Sequence, residues 1–264
     1  MPQISVAIMT SNNADTLEAA CDSAAWADEL VILVDENSSD ETLTIAQRRA
    51  DRCETHPWQG FTKQRQILVD MCKHDWVMIL DGDETCCPQL MDEIKTMPAE
   101  MFEAHDLMMI RRRNYLFGRA VRAWWPDWQN RLMQRKRVTW TDEAIHDRRE
   151  VSHRSRIKHL RGWLEHKQHS DAGFADYFSG QRLDSRLMVA AAQMHQRGKR
   201  CHGWDLLFRP WAAFVKSYFI KRGFIDGTFG LLVAQKSAIS TQLKYAALWA
   251  YQQDPKRYAK NENR

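Results

Sequence analysis

Three short apolar runs punctuate the first third of the chain: ISVAIMT (Ile4 to Thr10), LVILVD (Leu30 to Asp35) and WVMILD (Trp76 to Asp81). They are rich in β-branched residues and apolar at successive rather than alternate positions, the pattern of strands buried on both faces of a sheet. Helical patterns lie between them. ADTLEAACDSAAW places Leu17, Ala20, Cys21 and Ala24 on one face, and SSDETLTIAQRRADRC opens with Ser38 and Glu41 in capping-box register. Strands alternating with helices of this length predict βαβ crossovers and an α/β fold built on a parallel sheet. In such sheets ligands bind beyond the carboxyl ends of the strands. The three runs end in Thr10, Asp35 and Asp81, so their polar ends are expected along one edge.

After Pro88 the regularity weakens. DLMMIRRRNYLFG begins as a strand, QNRLMQRKRVTW reads as two short strands about a basic turn, and the stretch between is rich in Trp and Arg. From about Asp171 the pattern is helical, which predicts one domain over residues 1–170 and a helical C-terminal region over 171–264. Phe208, Trp211, Phe214, Val215, Tyr218 and Phe219 recur there at helical spacing among Lys216, Lys221 and Arg222. An amphipathic helix lying in a membrane interface has this character, as does a helix packed against the rest of the chain.

Composition narrows the picture. With 264 residues, 44% hydrophobic and 27% charged, the chain is globular in character. No leader pattern and no run of 18 apolar residues is seen, which predicts a cytoplasmic, non-spanning protein. The six cysteines lack paired CxxC spacing, so neither a zinc ribbon nor a disulfide framework is indicated. Net charge is only +4, but residues 111–161 hold 15 Lys/Arg against 5 Asp/Glu. Such an excess attracts phosphate-bearing small molecules, anionic lipid headgroups or nucleic acid.

The chemistry concentrates in WVMILDGDE (Trp76 to Glu84), where a buried strand runs into three carboxylates within four positions. Asp81, Asp83 and Glu84 repel one another unless a cation or a proton offsets their charge. The Asp81-Gly82-Asp83 motif, two carboxylates at a turn, suits Mg²⁺ or Mn²⁺ held jointly by protein and substrate phosphates.

In these motifs the sequence resembles the family 2 glycosyltransferases, and within them the subgroup that includes lipopolysaccharide core β-1,4-glucosyltransferases. The resemblance is carried in order by IMTSNNADTL, WADELVILVDENSSDETLTIA, WQGFTKQRQ, WVMILDGDE, RRNYLFGRAVR, WPDWQNRLMQR, TDEAIHD, LEH and RP…GFIDGTFG, over nearly the whole chain. It implies a GT-A fold, a Rossmann-like, mostly parallel sheet flanked by helices with a helical C-terminal extension. It also implies an inverting, metal-dependent transfer of a sugar, glucose from UDP-glucose, onto a lipopolysaccharide core or related anionic, lipid-linked saccharide. The expected setting is peripheral, on the inner face of the cytoplasmic membrane, with no nucleic-acid partner.

Residue by residue, the resemblance puts Thr10 and Asn12 near the nucleotide, Asp35 at the base, Arg65 facing the diphosphate, Asp81 by the ribose or sugar, and Asp83 on the metal. His146 and His166 are further candidate metal ligands. A single displacement needs a general base near the acceptor hydroxyl; Asp142 and Asp147, flanking His146, are the candidates, with Asp142 favoured. Asn13, Asn37 and Gln66 depart from the family's usual acidic residue, glycine and asparagine. Trp124, Trp125 and Trp128 beside Arg119 and Arg122 are candidates for an acceptor platform. Two rival readings remain open on the sequence: a nucleotidyltransferase of related fold, which would carry a glycine-rich phosphate loop that MTSNNADTL lacks, and a non-catalytic basic module, which leaves the DxD unexplained.

Overall fold

The computed structural model describes residues 1–140, 149–151, 156–167 and 183–255. The chain divides into two compact units, Met1–Ala120 with Trp125–Ser170, and Val121–Trp124 with Asp171–Arg264.

In the first unit β1 (Ile4–Thr10), β2 (Glu29–Asp35), β3 (Arg52–His56) and β4 (Trp76–Asp81) lie parallel in the order β3-β2-β1-β4. They are connected through α1 (Leu17–Ala24), α2 (Thr42–Arg49) and α3 (Phe61–Met71). The three apolar runs are β1, β2 and β4, and both of their faces are covered. Ile4, Val6, Ile8, Ile32, Val34, Met78 and Leu80 join the buried stripe Leu17, Ala20, Cys21 and Ala24 of α1. Ala7, Val31, Leu33, Val77 and Ile79 pack instead with Leu68 and Val69 of α3. The strand β3 carries no apolar run because it is a polar, largely exposed sheet edge.

The capping box expected of Ser38 and Glu41 does not form. Helix α2 starts at Thr42 without a side-chain cap from Glu41. Asp40 serves instead: one oxygen accepts from the Thr42 amide and the other from the Ala14 amide, both at 3.0 Å. A single carboxylate thus satisfies a free amide of the helix start and ties it to the loop after β1.

Beyond β4 come β5 (Glu84–Cys86), α4 (Pro88–Lys95), α5 (Ala99–Ala104), β6 (Leu107–Leu116), β7 (Arg119–Ala120), β8 (Asp127–Gln134), β9 (Val138–Trp140), β10 (Arg149–Val151) and β11 (Ile157–Lys167). Strand β8 enters antiparallel between β4 and β6, β11 runs parallel to β6, and β5 closes the edge antiparallel to β11. The two strands read in QNRLMQRKRVTW are β8 and β9, but β8 joins the main sheet while β9 pairs with β10.

The second unit contains α6 (Leu183–Gln196), α7 (Gly203–Val215), a π-helical turn Lys216–Ile220 and the long α8 (Gly227–Gln253). Its core gathers Ala191, Ala192, Cys201, Tyr245, Leu248 and Tyr251. In GFIDGTFG, Gly227 takes φ +61°, and a Cβ on Gly230 would stand 1.8 Å from the Gly223 carbonyl oxygen, so the turn closes only on glycine. Helix α7 buries no residue at all. Trp204, Leu207, Phe208 and Trp211, at i, i+3, i+4 and i+7, are 71, 68, 57 and 66% exposed. Phe214, Val215 and Tyr218 are half-buried, so the exposed stripe begins further toward the N-terminus than the sequence pattern placed it. All six cysteines are free. Among the described residues no helix is long and apolar enough to cross a membrane.

Candidate active site

Strands β1, β2 and β4 end together, with Thr10 opposite Val34 and Met9 opposite Asp81. The DxD turn is pressed onto β1 at Gly82, where a Cβ would stand 2.4 Å from the Thr10 hydroxyl oxygen. The Gly82 amide donates to Met9 O (3.1 Å), and its carbonyl accepts from the Thr16 hydroxyl (2.9 Å). Asn13 knits the corner together. Its Oδ1 accepts from Thr10 (3.0 Å), its amide donates to Thr42 Oγ1 (2.7 Å), and its carbonyl receives the Thr16 and Leu17 amides at the start of α1. Thr10 is only 4% exposed, so it shapes the edge. Asn12, at φ +49°, accepts from the Ser39 amide (2.8 Å), and Asp35 accepts from the Asn37 amide (3.0 Å), which joins the loops after β1 and β2.

The carboxylates of DGDE are separated by arginines. Asp81 Oδ2 accepts from Arg131 Nη2 at 2.8 Å, and its Oδ1 lies 3.5 Å from Arg65 Nη2. Glu84, fully buried, accepts from Arg131 (2.5 Å) and Arg112 (3.1 Å) on Oε1 and from the Asp81 amide (3.2 Å) on Oε2. Arg112 in turn grips Asp127 Oδ2 through Nε (2.9 Å) and Nη2 (2.8 Å). Asp127 also accepts from Asn114 Nδ2 (3.0 Å), Asn114 Oδ1 meets His166 Nδ1 (2.7 Å), and His166 Nε2 meets Asp83 Oδ2 (3.2 Å). The polar chain therefore leaves the first aspartate of the DxD and returns to the second.

These contacts set the charge states. Burial alone would raise Asp81, but Arg131 and then Arg65 outweigh it and hold the carboxyl well below its usual range. Burial also opposes charge on Arg131, yet Asp81 and Glu84 keep that guanidinium firmly protonated. Glu84 is pushed above its ordinary value, by burial first and by the nearby Asp81 charge, against the pull of Arg131 and Arg112. Arginine thus supplies positive charge to Asp81 and Glu84, two of the three acids of DGDE. Asp83 differs from its two neighbours: among the described residues it pairs with no lysine or arginine, only with His166.

The sequence model for Glycosyl transferase family 2 matches residues 5–151. The chain belongs to that family. As a family 2 glycosyltransferase it has a mostly parallel mixed sheet with flanking helices and a helical C-terminal extension, as the resemblance implied. It is 25% identical over 262 residues to an uncharacterized glycosyltransferase of Rickettsia bellii (strain RML369-C), covering 93% of this chain and 86% of that one. It is 24% identical over 245 residues to a lipopolysaccharide core biosynthesis glycosyltransferase of Rhizobium meliloti (strain 1021), covering 83% and 82%. The solved structure of S. aureus TarS 1-349 in complex with UDP-GlcNAc is 14% identical with a TM-score of 0.43, over 99% of this chain and 90% of that chain, too loose a likeness to carry any argument. Family membership removes the two rival readings, since the chain is a glycosyltransferase.

Family 2 enzymes of this resemblance imply a divalent ion, and the Asp83–His166 pair fits one. Asn114 gives its Nδ2 to Asp127 and accepts from His166 Nδ1 on its Oδ1, which orients the imidazole so that Nε2 faces Asp83 Oδ2. An imidazole nitrogen and a carboxylate oxygen are both ligand types for a divalent ion, and these two stand 3.2 Å apart. Among the described residues no group of three His, Cys, Asp or Glu is arranged to hold a metal, so an ion here would rely on substrate oxygens for the rest of its shell. Asp142, His146 and Asp147 lie outside the described residues.

The structure sets Arg65 beside Asp81 and His166 beside Asp83, four residues singled out in the sequence, and adds Arg112, Asn114, Asp127 and Arg131, to which the sequence gave no role. A signal was present. Arg112 and Asn114, like Asp127, Gln129 and Arg131, recur at every second position of a strand, which sets a row of polar groups on one face.

Proposed function

We propose that this glycosyltransferase moves a sugar, glucose from UDP-glucose, with inversion onto an anionic saccharide related to the lipopolysaccharide core. The observation that carries the reading is the asymmetry of the DxD: Asp81 is neutralised by Arg131 and Arg65, while Asp83 meets only the His166 imidazole among the described residues. Asp83 and His166 are therefore the residues assigned to Mg²⁺ or Mn²⁺, and such an ion would offset charge developing on a departing nucleoside diphosphate. Arg65, held at the same corner, adds a guanidinium to that task. Thr10, Asn12, Asp35 and Asp81 form the nucleotide-sugar side of the edge, with Asp35 at the base and Asp81 at the ribose or sugar in competition with its arginines. The base that takes the acceptor hydroxyl proton is assigned to Asp142, with Asp147 as the alternative. The lipopolysaccharide acceptor is supported by the name of the Rhizobium meliloti relative.

Residues 1–170 are assigned the chemistry, and 171–264 contact with the inner face of the cytoplasmic membrane. Support for the second assignment is the exposed Trp204, Leu207, Phe208 and Trp211 stripe with exposed Lys216, Lys221 and Arg222 beyond it.

The test is slow hydrolysis of a panel of nucleotide sugars by purified protein with Mn²⁺ and no acceptor. UDP-glucose should be cleaved fastest, EDTA should stop the cleavage, and Asp83→Ala should abolish it while leaving the fold intact. Unchanged hydrolysis in EDTA sinks the metal assignment. With acceptor present, Asp142→Asn should cut turnover by about 10² to 10⁴ with donor binding near normal; the same loss in Asp147→Asn instead moves the base five residues along.

A further inference from the structure

Strand β6 carries arginine on both faces. Arg112 belongs to the charged network, whereas Arg111 and Arg113 lie on the opposite face, opposite Trp128 of β8 and Trp163 and Glu165 of β11. The side chains there form a ladder. Arg111 stands 5.7 Å from the Trp128 ring and 5.0 Å from Trp125; Arg113 stands 5.3 Å from Trp125 and 4.3 Å from Trp163. The rungs are thus Trp128, Arg111, Trp125, Arg113 and Trp163. The two arginines are not equivalent. Arg113 has a counter-charge in Glu165 (3.6 Å), which also accepts from Trp163 Nε1 (2.5 Å). Among the described residues the Arg111 side chain makes no hydrogen bond or ion pair, and its Nε is buried without a partner.

A guanidinium stacked on two indoles is fixed in plane and desolvated on its faces, which leaves its N–H edge as the group still seeking an acceptor. A buried donor left unsatisfied is costly, and two cations against one carboxylate leave an excess positive charge. A carboxylate or phosphate group answers both needs through bidentate pairing. Trp128 is the neighbour in sequence of Asp127, and Arg111 of Arg112, so the ladder and the charged network sit back to back across two strands at the same sheet edge.

From this we infer that the Arg111 end of the ladder is a binding site for the phosphate or carboxylate of a saccharide, the anionic ring of the acceptor. The assignment of that saccharide as acceptor rests on the glycosyltransferase reading above; the site itself does not. It shares Trp125 and Trp128 with the platform expected beside Arg119 and Arg122 but takes its cation from Arg111, while Arg122 pairs with Asp226 (3.4 Å).

The test is direct binding to the full chain with UDP and Mg²⁺ present, so that sugar phosphates do not occupy the donor edge. Glucose 6-phosphate, glucuronate, glucose and inorganic phosphate are titrated separately by ligand-observed NMR. The two anionic sugars should bind, glucose and inorganic phosphate should bind at least tenfold more weakly, and Arg111→Gln should weaken the anionic sugars by tenfold or more with UDP affinity unchanged. Arg111→Lys, which keeps the charge and loses the fork, should fall between the two proteins and carries the test if the glutamine variant does not fold. The inference is overturned if neither anionic sugar binds, if the Arg111 variants bind them as well as the wild type, if glucose matches glucose 6-phosphate, or if inorganic phosphate does. Failure of UDP to bind the wild type would count against the donor assignment and leave the ladder's result to stand separately.

Discussion

The sheet edge of the first unit and helix α7 of the second break the same rule in opposite directions. At the edge, Arg131 (3% exposed) and Glu84 (0%) are charged side chains taken out of water. On α7, two tryptophans, a leucine and a phenylalanine are left facing it. The first arrangement is internally complete, because each buried carboxylate meets a guanidinium with hydrogen-bond geometry. The second is incomplete, because an apolar stripe more than half exposed at every position gains nothing until something covers it. A self-satisfied charge cluster is fixed by its own partners, whereas an exposed apolar face has none within its own helix.

If that contrast is right, the largest effect should come from the edge. Arg131→Leu leaves Asp81 and Glu84 short of their shared partner and should lower unfolding free energy by about 3–5 kcal/mol in chemical denaturation, whereas Trp204→Ser or Trp211→Ser should each change it by no more than about 0.5 kcal/mol. Equal losses from both regions would mean that α7 is ordinary packing. The acid limb sharpens the same point. Asp81 titrates in the folded protein below its unfolded value, so its stabilisation is present above about pH 4 and is lost as pH falls through the lower folded value. The stability difference between wild type and Asp81→Asn, followed from neutral to strongly acidic pH, should shrink below about pH 4; a difference that stays constant would mean the Arg131 pairing is not what Asp81 contributes.

At α7 the readout is partition and not stability. Trp204→Ser combined with Trp211→Ser should weaken binding to anionic vesicles by about tenfold or more, with far-UV circular dichroism unchanged, because each removes an aromatic ring that inserts at the interface. Lys221→Glu with Arg222→Glu should have a smaller effect, since each basic residue near such a surface is worth about 1 kcal/mol, and that effect should fade as salt is raised. No loss from either pair removes membrane contact from the proposal and leaves the sugar-transfer reading intact.

Much of the first unit was legible in the chain. ISVAIMT, LVILVD and WVMILD announce β1, β2 and β4 because doubly covered parallel strands have no polar side to interrupt them. The α1 stripe was equally plain, and so was the placing of Asp81 and Asp83 at a strand end. RCETH was not legible as β3, since an exposed edge strand carries no apolar signal. Nor was the α2 cap, because Asp40 takes its second hydrogen bond from Ala14, 26 positions away.

What the sequence determined by itself was whatever depends on neighbours along the chain: the strand and helix periods, the motifs that mark the family, and the presence of acids at the sheet edge. What only tertiary structure decided was which cation answers which acid. Arg131 reaches Asp81 across 50 residues, and His166 reaches Asp83 across 83. The period of a strand says that two polar groups share a face; only sheet order and register say what stands opposite them. The same limit applies to α7, whose apolar stripe is written identically in the sequence whether it turns into a core or away from one, because periodicity records a face and never its direction.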